Sequence, residues 1–115
     1  MMKRLLQLNE LRLLRDAAEQ ARLTAPGVRE LLFIGVPHRY LASLQILNVP
    51  LDQLWLDLHG MNEVETLSDG TVPLQVWISN AIDRLALQPE LARPFERALH
   101  EVDRQIAMRR GGSRP

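Results

Sequence analysis

The sequence contains no cysteine, few aromatic residues, no net charge and no long apolar run. Without cysteine, a disulfide framework and a thiolate zinc site are excluded, and nothing in the composition indicates an oxidising compartment. No segment approaches the roughly twenty consecutive apolar residues that a membrane-spanning helix requires. Asn9, Glu10 and Arg12 interrupt the leucine-rich start too early for a signal peptide. We therefore expect a soluble, cytoplasmic protein that does not enter a membrane.

The residues that are abundant favour helices. Leucine dominates, accompanied by many arginine, glutamate, glutamine and alanine residues, whose side chains lose little rotamer freedom in a helix. A chain of 115 residues with 46% hydrophobic and 24% charged residues is typical of one globular domain. We predict a single all-α domain over residues 1–108. The polar sequence RRGGSRP, at residues 109–115, is predicted to form a disordered tail.

The stretch from residue 50 to residue 85 contains the clearest helical pattern. Two segments, each opened by a proline, lie on either side of the turn sequence SDGTV, and each carries one of the two tryptophans, Trp55 and Trp77. Apolar residues recur in both segments at spacings of three and four, which places them on one face of a helix. Because a tryptophan buries a large apolar area, this helical hairpin is expected to form the core.

The remaining segments complete a compact bundle of about six short helices. The expected helices span about residues 9–22, 28–35, 38–45, 50–67, 73–87 and from about 93 onward. Asn9 is the expected N-cap of the first helix. Leu31, Leu32 and Ile34 are the side chains of the second helix that are expected to be buried. Gly60 costs up to about 1 kcal/mol inside a helix, so a kink or break is expected there.

A search for catalytic chemistry is largely negative. The sequence has no glycine-rich phosphate loop, no nucleophile elbow and no HExxH pair. His59 and Glu63 have the i, i+4 spacing of metal ligands, but no third ligand accompanies them. The carboxylates of Asp52 and Asp57 have an ordinary helix-surface spacing without a nearby nucleophile. We therefore predict no metal, no cofactor and no enzymatic activity.

Nucleic-acid binding is the next class to consider. The two short helices around Gly35 and Pro37 could form a helix-turn-helix, and the second would carry His38 and Arg39. A neutral chain with an isoelectric point near 6.8 lacks the basic face that neutralises phosphates. DNA or RNA binding is therefore disfavoured, and a small helical DNA-binding protein remains an alternative.

Charge is segregated along the chain. Residues 1–45 carry seven basic and four acidic side chains (net +3), residues 46–90 one and seven (net −6), and residues 91–115 six and three (net +3). If these groups lie on different faces, the domain is an electric dipole that attracts copies of itself or a similar module. Alternatively, the charges pair within the fold. The expected acidic face comprises Asp52, Asp57, Glu63, Glu65 and Asp69. The expected basic face comprises Arg12, Arg15, Arg22, Arg29 and Arg39.

This charge pattern makes self-association testable. Reversing Asp57 and Glu63 to lysine is expected to weaken assembly while leaving the helices intact. The alternative is an obligate dimer that buries a leucine-rich helix, whose association would be insensitive to salt.

Two parts of the sequence resemble the effector-associated domains of bacterial conflict systems. The first comprises the runs LRLLRDAA, GVRELLFIGVP and RYLASL, and the second is DQLWLDLHGMNEVETLSDGTVPLQVWISNAIDRL. The resemblance as a whole covers about residues 11–102. The resemblance implies a death-like six-helix fold. It further implies an anti-phage defence adaptor that recruits effectors such as proteases, nucleases, TIR or NTPase proteins through like-with-like contacts. The expected partner is a second copy or a related helical domain fused to an effector.

Overall fold

The computed structural model describes residues 4–112, and this range contains six helices and no strand. The helices are α1 (Leu8–Gln20), α2 (Val28–Leu32), α3 (His38–Ala42), α4 (Pro50–Asn62), α5 (Pro73–Arg84) and α6 (Pro89–Gly112). The predicted all-α bundle of six helices is confirmed.

The first helix begins earlier than the sequence indicated. Gln7, rather than Asn9, is the N-cap, and its backbone N–H donates to Glu10 Oε1 at 2.8 Å. At the other end, Arg22 adopts a φ of 59°, a left-handed conformation that cannot continue the helix. The helix therefore begins one residue before its expected position and ends two residues before it.

The next two helices are shorter than expected, with five residues each. Gly35 has a φ of 96°, which turns the chain between them. Of the three residues expected to bury the second helix, Leu32 is buried, whereas Leu31 and Ile34 are exposed. Helix α3 contains no fully buried residue, so it lies at the edge of the bundle.

Helix α4 runs through Gly60 without a break, but it ends at Asn62 rather than near Leu67. The buried side chain of Asn62 accepts the backbone N–H of Leu6 at 2.8 Å through Oδ1 and donates from Nδ2 to the Leu6 carbonyl at 3.0 Å. These bonds hold the N-terminal segment against the end of α4. The expected extension to Leu67 was wrong, because the backbone carbonyl of Asn62, which residue 66 would bond in a longer helix, instead accepts the backbone N–H of Leu5 at 3.2 Å.

Helix α6 also differs from its expected bounds. It begins at Pro89 and includes Pro94, whereas the sequence indicated a start at about residue 93. The Gln88 carbonyl accepts from both Leu91 and Ala92, and burial of Ala92 and Phe95 holds this turn on the core. The described part continues to Gly112, so residues 109–112 of the expected tail are helical, and residues 113–115 lie outside the described range.

The core is centred on α5, which packs against α2, α4 and α6. Trp77 is fully buried there, with its ring centroid 6.3 Å from that of Phe95. Helix α1 closes the bundle against α4 and α6. Trp55 differs from the expectation for the hairpin, because it is only partly buried and packs at the surface beside His59.

Candidate interaction surface

Asp57, expected on an exposed acidic face, is buried inside the bundle. Its carboxylate accepts two hydrogen bonds from Arg29, at 2.6 Å from Nε and 3.0 Å from Nη2, and a third from Gln53 Nε2 at 2.9 Å. Arg29, assigned to the opposite face, is therefore its partner within the fold. The placement of both residues on separate exposed faces was wrong.

The position of Asp57 on its helix contained the signal for burial. Asp57 lies three residues after Leu54 and four before Met61, both of which are buried, so it shares their face of α4. Reversing Asp57 to lysine would place two cations together at a buried site. We therefore now expect that variant to be destabilised, because removing one member of a buried ion pair is strongly destabilising.

Two more acidic candidates pair with the basic ends of the chain. Glu63 Oε1 lies 3.3 Å from Arg4 Nε, and Glu65 Oε1 lies 2.9 Å from Arg109 Nη1. Arg109 also donates to the carbonyl of Arg4. Charges that are segregated along the sequence are thus brought together by folding, and three of the five acidic candidates have basic partners.

The other two acidic candidates, Asp52 and Asp69, are exposed. Asp69 Oδ1 accepts the backbone N–H of Thr71 at 2.9 Å, and this hydrogen bond lowers the pKa of the Asp69 carboxyl. Asp69 shares an open concavity with Arg39, a candidate for the basic face. The expected acidic and basic faces are therefore not separate at this position.

The remaining basic candidates lie on or near α1. Arg12 and Arg22 are exposed, whereas Arg15 is half-buried, with its guanidinium carbon 4.7 Å from the Trp55 ring centroid. Arg15 also forms an ion pair with Asp16, with Nη2 of Arg15 3.1 Å from Oδ1 of Asp16. Arg12 and Arg22 thus remain available for contacts with another molecule, while Arg15 has partners within the chain.

The buried polar groups hold the structure together. Gln53 donates to the Gln45 carbonyl at 3.0 Å and accepts the Leu47 N–H at 2.6 Å, which fixes the connection before α4. His59 contacts the Trp55 ring edge-on, at 4.2 Å between centroids.

Within residues 4–112, no three histidine, cysteine, aspartate or glutamate side chains are arranged to hold a metal ion. No helix in that range is long and apolar enough to cross a membrane.

A groove between α1 and α6 is a surface feature that the sequence did not indicate. It encloses about 430 Å³ and has an apolar lining that includes Leu13, Ala17, Pro94 and Ala98. Leu13 directly precedes the buried Leu14 on α1, yet 66% of its surface is exposed. It lies at the edge of the groove, where α6 does not cover it.

The family model described as effector-associated domain 5 matches residues 5–111 of this chain. No curated protein and no solved structure gives a significant match.

Proposed function

Because the chain belongs to the effector-associated domain 5 family, we propose that it is a non-enzymatic adaptor that recruits effector proteins. Recruitment proceeds through contacts between helical domains, in a bacterial defence system against phage. The family match over residues 5–111 is the observation that carries this proposal. The death-like arrangement of the six helices is part of the same proposal.

The buried polar residues described above make hydrogen bonds within the fold, so the groups that could bind a partner are those on the surface. Asp57, Asn62 and Gln53 all make hydrogen bonds that fix one segment of the chain to another. The surface, in contrast, presents large apolar side chains to solvent. Within residues 4–112 eight of them are exposed, with Leu13, Ile34, Ile46 and Leu87 each more than 60% accessible. Exposed apolar groups beside charged ones are a feature of protein interaction sites.

The proposal is tested by mixing the purified chain with a second effector-associated domain that is fused to an effector. Light scattering after size exclusion would measure the mass of any complex, and titration calorimetry its affinity. We expect a complex of defined stoichiometry, and no complex with an unrelated helical protein of similar size. A chain that binds neither itself nor the related domain would contradict the proposal.

The same experiment separates the obligate-dimer alternative. An obligate dimer would show a constant mass at every protein concentration and salt concentration. A recruiting module would show a mass that depends on concentration and on the presence of the second domain.

A further inference from the structure

We propose that the groove between α1 and α6 receives the exposed end of α2 from a second copy of this chain, so that copies join head to tail. The inference rests on the proposed function and specifies the surfaces through which one such contact is made. The α2 ridge is defined by Glu30, Leu31 and Ile34. The α1–α6 groove is defined by Leu13, Ala17, Pro94, Ala98 and Arg97.

The α2 ridge is an apolar projection with one charge. Leu31 is 47% exposed and Ile34 is 62% exposed. The Ile34 N–H donates to the Leu31 carbonyl at 3.3 Å, which places both residues in one turn. Val28 and Leu32 anchor the opposite side of α2 in the core. The ridge is therefore a short apolar surface that is held in place by the buried side of α2, and the exposed residue Glu30 lies within it.

The α1–α6 groove has the complementary character. Leu13 and Ala17 supply its wall on α1, and Pro94 and Ala98 supply its wall on α6. Its volume of about 430 Å³ is large enough to accept two aliphatic side chains. Filling the groove would bury Leu13, the most exposed leucine of α1.

The charges of Arg97 in the groove and Glu30 on the ridge are complementary, and this favours the α2 ridge as the occupant of the groove. Arg97 is the basic residue that lines the groove, and within residues 4–112 it forms no ion pair. The acidic lining residues already have partners, because Asp16 lies 3.1 Å from Arg15 and Glu10 accepts the Gln7 N–H. Glu30 is likewise exposed and without an ion pair in the described range. When the α2 ridge of one copy binds in the α1–α6 groove of another, Glu30 of the first copy would therefore pair with Arg97 of the second.

The positions of the two surfaces determine how copies would assemble. Helix α2 packs against α5, whereas the groove is formed by α1 and α6, and α2 packs against neither of these in the described structure. The ridge of one molecule cannot reach its own groove. Each contact thus leaves one ridge and one groove free, which is the condition for a heterologous chain rather than a closed two-fold dimer.

A mixing experiment tests this arrangement. Leu13→Asp blocks the groove and leaves the ridge intact, while Ile34→Asp blocks the ridge and leaves the groove intact. Both positions are exposed, so we expect folded proteins by circular dichroism. Each variant alone should remain monomeric in sedimentation velocity. Their equimolar mixture should form a dimer that does not grow further, because only one ridge and one groove remain functional.

Charge reversal supplies the second test. Glu30→Arg and Arg97→Glu should each raise the dissociation constant about fivefold or more, and the double variant should recover most of the affinity. Leu87→Asp is the matched apolar control, since Leu87 is 95% exposed and outside both surfaces, and Arg84→Glu is the charge control.

The outcomes distinguish this inference from the proposed function. A mixture of the two blocked variants that remains monomeric would overturn the ridge-and-groove contact, as would a double reversal that is weaker than either single reversal. Wild-type protein that stays monomeric but binds a separate effector-associated domain would also overturn it, while the adaptor role would stand.

Discussion

The buried pair of Arg29 and Asp57 gives the most demanding prediction about stability. The Asp57 side chain is 3% exposed, whereas the Arg29 side chain is 25% exposed. Arg29→Ala therefore leaves a carboxylate inside the bundle with one remaining donor, Gln53 Nε2 at 2.9 Å. Removing one partner of a buried ion pair costs about 3–5 kcal/mol. The variant also loses the contact between the guanidinium and the Phe33 ring at 5.2 Å.

Asp57→Ala is expected to be less harmful. The released guanidinium of Arg29 can reach solvent, and Gln53 Nε2 retains its bond to the Gln45 carbonyl at 3.0 Å. We expect a loss of about 2–3 kcal/mol, mainly from two charge-assisted hydrogen bonds. The combined variant Arg29→Met with Asp57→Leu should regain most of the stability, because apolar residues of similar volume can replace a buried pair.

Urea unfolding, monitored by circular dichroism and tryptophan fluorescence, measures these differences. Arg12→Ala is the control, since Arg12 is exposed, and it should change the free energy of unfolding by less than about 0.5 kcal/mol. A loss of less than about 1 kcal/mol in Arg29→Ala, or a larger loss in Asp57→Ala than in Arg29→Ala, would contradict the stabilising role of this buried pair.

Three further substitutions or titrations test individual environments. Gly60→Ala should stabilise the fold by about 0.5–1 kcal/mol, because an added Cβ would lie at ordinary contact distances of 3.5 Å from Leu44 and 3.7 Å from the Tyr40 hydroxyl; a lower urea midpoint would contradict this. Tyr40→Phe should be neutral or stabilising by up to about 1 kcal/mol, since the buried hydroxyl has no hydrogen-bond partner among the described residues; a loss above that size would show an unrecognised partner. Hydrogen bonds from Arg104, and then from Gln105, lower the pKa of Glu101 from 4.5 to about 2. Its stabilising effect should therefore be present above pH 4.5 and disappear as the pH falls through about 2, and a carboxyl titration by NMR with an ordinary midpoint would contradict the role of Arg104.

Much of the architecture follows from local patterns in the sequence. The spacing of apolar residues and the prolines at positions 50 and 73 correctly indicated where α4 and α5 begin. The ends of helices were less predictable, because they depend on distant segments. Asn62 bonds to Leu6, 56 residues away in sequence, and no local signal at residues 62–67 reveals that contact. Likewise, burial of Phe95 outweighs the local cost of Pro94.

The candidate surface was harder to predict than the fold. Charge counts along the chain indicated two faces, but folding places Glu63 beside Arg4 and Glu65 beside Arg109. The sequence contains these charges but not the distances between them. The exposure of Leu13 depends in the same way on where α6 crosses α1, which helical periodicity does not determine.

The most direct test of the adaptor account is the mass of the wild-type protein in solution. Light scattering after size exclusion would be measured over a range of concentrations, with the chain alone and with an excess of a second effector-associated domain. The account predicts a mass that rises above the 13.2 kDa of one chain as concentration increases, or on addition of the second domain. A mass of 13.2 kDa under every one of these conditions would contradict it.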